Sequence, residues 1–315
     1  MKSSKTKQRQ SEVLATQPLA ESTLGEFAQH VIHEQYRHMA KQEKGVLADK
    51  DAEHLHQMRV GSRRLATALQ VFDAAIDLPK AAQLKSVRKL TKVLGNLRDL
   101  DVQIQSLQED YYPQLHAKEQ KQLAEAIAIL KKKRHKAFAN TQTTLKEPLY
   151  QDLKAAYKHW IAEPKLTAIA QLPVKAVLPD MLSPLLSTLL LHPAWLIPTC
   201  DVTDVTVDSL HNLRKVCKYV RYQAEFFVPF YGGPFKEWIS EVKVIQDRLG
   251  ELQDLYVMLD LIAELFPKGE EINQLRHLAQ DTKASILTNW DQTRQHYLDP
   301  KTRYQLHHLL LAPLE

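Results

Sequence analysis

The stretch Leu55-His56-Gln57-Met58-Arg59-Val60-Gly61-Ser62-Arg63-Arg64-Leu65 sets one histidine and three arginines within about three helical turns. It has a second version. Adding 155 to each number (210 minus 55) reaches Leu210, His211, Arg214 and Lys218, with no gap in the register. The match runs on through Leu94-Gly95-Asn96-Leu97-Arg98-Asp99-Leu100-Asp101-Val102. Its later equivalents include Leu249, Gly250, Leu252, Asp254, Leu255 and Val257, and Phe72/Phe227 and Pro79/Pro234 also repeat. An ungapped match of this length indicates a duplicated helical unit. Packing accounts for the leucines. It does not account for a doubled His-x-x-Arg-x-x-x-Arg/Lys.

The rest of the chain supports a helical reading. Eight glycines in 315 residues is a low number, and helix-forming residues abound. Apolar stripes predict helices beginning near Leu24, Asp51, Pro79, Ala117, Leu149, Asp208, Phe235, Asn273 and Lys301. Pro164, Pro173 and Pro179 mark a connection between the copies, and Ser183-Pro184 reads as the N-cap and first residue of the next helix. The expected organisation is all-α: a disordered basic start over 1–23, a first repeat over about 24–162, a linker over 163–180 and a second repeat over 181–313. The apolar stretch 181–197 contains two prolines and a histidine and reads as a buried core helix, too short to span a bilayer. Two cysteines, Cys200 and Cys217, and no secretory signal point to a soluble protein of a reducing, cytoplasmic compartment.

The net charge of +5 is too small to name a partner. Its local pattern says more. At about 100° per residue, His56, Arg59 and Arg63 share one stripe, and so do His211, Arg214, Lys218 and Arg221. Lys85, Arg88 and Lys92 form a third, with Asp99 two turns further on. Apart from Arg221, which has Glu225, these arginines and lysines have no acid three or four positions away. Stripes of unpaired cations, repeated in register, call for an anion. A metal is disfavoured, because His56 and His211 have arginines one turn away that repel a cation and supply no ligand atoms. Gly95 and Gly250 each cost a helix about 1 kcal/mol, which suggests close approach of another element. Asp99 and Asp254 suit orienting roles for the histidines or arginines, since no nucleophile accompanies them. The run from Lys131 to Lys136 is the densest in charge but is not duplicated, and reads as a solvated face.

The doubled motif resembles the CHAD family (conserved histidine α-helical domain), through the two stretches quoted above and through Leu210–Lys215 and Ile245–Asp254. The resemblance covers nearly all of 24–311. It implies two four-helix bundles related by a pseudo-twofold, with a basic cleft or pore between them, and non-catalytic binding of inorganic polyphosphate; polyphosphate granules are a candidate partner. By the same resemblance the contacts come from His56, Arg59, Arg63, Arg64, Arg88, Lys92, His211, Arg214, Lys218, Arg221 and Lys243. Ala66 stands where the family often has another arginine, and Asp247 stands opposite Lys92, which predicts a weaker second half. A preceding triphosphate-hydrolase domain of the CYTH type is not expected. The rival readings are an RNA-binding protein, disfavoured by the scarcity of aromatics on the stripes, and a metal-dependent phosphohydrolase, disfavoured by the lack of clustered carboxylates. No cofactor or membrane contact is expected.

Overall fold

The computed structural model describes residues 21–265 and 273–314, with side chains 261–276 outside that description. The expected disordered start falls mostly on residues outside it, but Ser22 and Thr23 are ordered. Thr23 caps helix α1 (Leu24–Lys41) in a reciprocal box with Glu26, and pairs as an isolated bridge with Pro173. A short helix α2 (Glu43–Ala48), not foreseen from the sequence, ends at Asp49 with φ 50°. Asp51 then caps α3 (Ala52–Val71).

Helix α3 packs against α4 (Leu84–Ser106). Pro79 does not open this helix as expected. It precedes a separate 3-10 turn over Lys80–Ala82, and α4 starts at Leu84. A π turn and Pro113 lead into the long α5 (Ala117–Lys146), followed by α6 (Pro148–Ala162). The all-helical expectation holds with one small exception. Ile76 and Asp77 pair with Leu166 and Lys165 in a two-stranded antiparallel ribbon, which ties the α3–α4 connection to the segment between the copies.

The second copy begins earlier than its prolines suggested. Helix α7 runs Val174–Leu190, so Ser183 and Pro184 lie inside it and the linker ends at Pro173. Buried Val174, Leu178 and Leu182 hold this first half against the core, which outweighs the backbone bonds two prolines remove. With its 3-10 continuation the segment 174–196 is long and apolar enough to cross a membrane, but seven of the helix's side chains are buried in the protein core. Helix α8 (Val207–Ala224) packs against α9 (Gly233–Leu265), and α10 (Asn273–Ile286), α11 (Trp290–Leu298) and α12 (Pro300–Leu311) complete the chain. The single helix expected over 273–297 is broken at Leu287–Asn289.

Both copies feed one hydrophobic core. Phe27 meets Phe227 at 5.8 Å and Phe230 at 5.0 Å, ring centre to ring centre. The duplicated pair Phe72 and Phe227 meet edge to face at 6.1 Å. This aromatic seam fixes α3 against α8, which brings the two histidine-bearing helices together.

Candidate functional site

Each copy supplies the same local device. On α3, Arg59 lays its guanidinium over Gly95 of α4, where an added Cβ would stand 3.5 Å from Arg59 Nε. On α8, Arg214 lies over Gly250 of α9, where the corresponding distance is 3.2 Å. The glycines therefore make room for arginine side chains, and the close approach expected at these positions is that of a guanidinium. Arg59 Nη2 also donates to Asp99 Oδ1 at 3.2 Å. Asp254 makes no such ion pair among the described residues.

The two devices open into one cavity of about 440 Å³. His56, Arg59, Arg63, Arg98, Asp99, Val102 and Gln103 line it from the first copy. His211, Arg214, Lys218, Gln253, Asp254, Val257 and Met258 line it from the second. Each residue in the first set stands 155 positions before its counterpart in the second, so the two copies present equivalent surfaces to a shared space. Five arginine and lysine side chains face two carboxylates there.

The electrostatics are those of a site short of negative charge. Arg59 Nε, Arg63 Nη2, Arg214 Nε and His211 Nδ1 are buried and form no hydrogen bond within the protein. Buried polar groups in that state are rare, since leaving one unpaired costs roughly 1–3 kcal/mol. Burial lowers the pKa of His56, and Arg98, Arg59 and Arg63 lower it further against the opposing pull of Glu53. Burial also lowers that of His211, helped by Lys215 and Arg214 and opposed by Asp208. Both imidazoles are thus held neutral near pH 7 by an environment that a bound anion would reverse. Burial pulls Arg63 below the usual arginine value, and its guanidinium lies 5.4 Å from the Tyr222 ring of the other copy. Asp254 is open to solvent on one side, yet the cavity wall desolvates it. That desolvation and the Asp99 charge raise it above the ordinary aspartate value, against Arg214 and Arg59.

Not every expected contact residue reaches this cavity. Arg64 donates to Gln35 and forms an ion pair with Glu225. Arg221 joins the same carboxylate at 2.5 Å and stacks on Tyr222 at 4.4 Å. These two arginines form a clasp between the copies and are already neutralised in part. Lys243 is paired with Asp247 at 3.1 Å. Lys85, Arg88 and Lys92 line a different depression of about 800 Å³ along the α3–α4 hairpin, together with Lys89. Within the run from Lys131 to Lys136, Arg134 binds Asp49 and Asp101 and serves the fold.

A family model for the CHAD domain matches residues 30–263. The chain belongs to the CHAD domain family. The crystal structure of the CHAD domain from the plant Ricinus communis is 24% identical, with 93% of this chain and 94% of that one covered at a TM-score of 0.58. PptA from Streptomyces chartreusis is 14% identical, with 90% and 100% covered at a TM-score of 0.58. Both likenesses are of fold. No curated protein matches the chain. Within this CHAD domain, Arg98 and Lys89 leave no trace in the duplication because their counterparts are Gln253 and Val244. Tyr222 leaves none either, its counterpart being Thr67.

Proposed function

We propose that this protein binds inorganic polyphosphate, without catalysing its breakdown, in the cavity between its two copies. The observation that carries the reading is the shared cavity itself, where paired sets of His, Arg and Lys from both copies converge around buried N–H groups that lack acceptors. Polyphosphate suits such a wall: many weakly discriminating oxygens, negative charge at each unit, and no need for groups that read bases. Arginine adds two-point contact to phosphate oxygens. Membership of the CHAD domain family supports the same ligand. We further propose that the two copies are four-helix bundles related by a pseudo-twofold that passes near Phe72 and Phe227. The protein is proposed to work in the cytoplasm, with polyphosphate granules a candidate partner and neither metal nor membrane involved.

Calorimetric titration at one fixed salt concentration tests this. Long-chain polyphosphate should bind with micromolar or tighter affinity, orthophosphate negligibly, and single-stranded RNA should fail to displace the polyphosphate. Equal affinity for orthophosphate and polyphosphate would reduce the site to one local pocket. Displacement by RNA would transfer the surface to nucleic acid, and phosphate release with added Mg²⁺ would make the protein an enzyme.

A further inference from the structure

We infer that the bound polyanion leaves the cavity on one side only, over the basic groove of the first copy, so that a duplicated scaffold holds its ligand asymmetrically. The inference rests on the polyphosphate reading above. Lys85, Arg88, Lys89 and Lys92 line this groove of the α3–α4 hairpin and are exposed. None of the four makes an ion pair among the described residues. The equivalent positions on α9 are Ser240, Lys243, Val244 and Asp247. Four positive charges therefore correspond to one lysine and one aspartate, and that lysine and aspartate are paired at 3.1 Å.

The turns nearer the cavity differ as well. In the first copy Ala66 and Gln70 occupy the positions that Arg221 and Glu225 hold in the second. Glu225 is bound by both Arg221 and Arg64. A polyanion extending over the second copy would meet the Asp247 carboxylate, while over the first copy that place is Lys92. The first route also keeps to one helix face. Lys92 precedes Asp99, at the cavity wall, by seven residues, about 10 Å along the helix, and Lys85 by fourteen, about 20 Å, all near one face. Asp73 and Asp77 also line this groove, but they belong to the hairpin connection, the end remote from the cavity.

The test compares tripolyphosphate with long-chain polyphosphate at low salt. The unmodified protein is measured beside Arg88→Glu/Lys92→Glu, Lys243→Glu and Asp247→Lys, with helicity checked by circular dichroism. Reversing Arg88 and Lys92 should weaken long-chain binding by roughly tenfold or more and reduce its salt dependence. The loss for tripolyphosphate should be several times smaller. Lys243→Glu should weaken long-chain binding much less than the first-copy reversal, and Asp247→Lys should tighten it by opening a second route. Equal losses from the first-copy and Lys243 reversals, or equal losses for short and long chains, would overturn the one-sided route while leaving the cavity reading intact. Failure of the unmodified protein to bind long chains at all would overturn the function itself.

Discussion

The two α-helical hairpins, Ala52–Ser106 and Val207–Leu265, agree where they face each other and differ where they face away. At the cavity His56 answers His211, Arg59 answers Arg214, and Gly95 answers Gly250. Further out the chemistry changes while its place in the structure is kept. Asp101 of α4 is bound by Arg134 at 2.8 Å, whereas its counterpart Tyr256 of α9 is bound by Lys283 at 3.0 Å. Joints of this kind tolerate a change of partners provided the hydrogen bond survives. The cavity pairs gain nothing for the fold from their matching charges, since like charges brought together oppose folding. The difference separates residues that serve the fold from residues whose charge answers something outside it.

Breaking the clasp should have the largest effect. Glu225→Gln leaves Arg64 and Arg221, whose side chains are 26% and 11% exposed, without their carboxylate. Loss of one partner from a fully buried pair destabilises by about 3–5 kcal/mol, so about 3 kcal/mol is expected at this partly exposed one. Chemical denaturation should show it, while Gln70→Ala at the equivalent first-copy position stays within about 0.5 kcal/mol.

The cavity pairs sharpen the comparison from the other side. Arg59→Ala and Arg214→Ala should each weaken polyphosphate binding by about 2 kcal/mol, by similar amounts, with helicity retained. Titration of both variants beside Lys131→Glu/Lys132→Glu checks this. If the substitutions on the exposed face of α5 proved more damaging, the cavity would be the wrong site. Arg59 contributes little to the fold through Asp99, a partner 63% exposed.

The smallest effect concerns the glycines. Gly95→Ala adds a methyl at ordinary contact distance from Arg59 and removes a helix-interior glycine, so it should stabilise by up to about 1 kcal/mol. Gly250→Ala crowds Arg214 at 3.2 Å and should shift that guanidinium, lowering polyphosphate affinity by about 0.5 kcal/mol, roughly twofold. Thermal melts and titrations of the two variants should therefore diverge. Identical behaviour would mean the two arginine seats are interchangeable.

Legible in the sequence were the helices with continuous apolar stripes and the residues the duplication marked. Helical periodicity located α1, α3, α5, α6 and α12 closely, because their apolar stripes are continuous. The start of α7 was misplaced because two prolines inside a helix look like a boundary until the packing of Val174 and Leu178 is known. Of the candidate contacts, His56, Arg59, Arg63, His211, Arg214 and Lys218 do share one cavity. Arg64 and Arg221 do not, since pairing of Arg64 with Glu225, 161 positions away, leaves no trace in local spacing. Lys243 had its partner within reach of the helical rule, at Asp247. Arg98 escaped notice because its counterpart carries no charge.

The most direct test of a single anion site built by both copies is the pH dependence of polyphosphate binding. Both imidazoles have pKa values lowered in the free protein, by burial first and by neighbouring cations next. In the absence of ligand their protonation opposes the folded state, so stability falls as pH drops below about 6.5 toward the depressed values. A bound polyanion replaces that repulsion with attraction and raises both pKa values, so binding must take up protons. Long-chain polyphosphate should therefore bind more tightly at pH 6 than at pH 8, with calorimetric proton uptake that shrinks in a His56→Gln/His211→Gln variant. Affinity that stays flat between those pH values, or an unchanged slope in the double variant, would contradict the claim that the two histidine-bearing helices share one anion site.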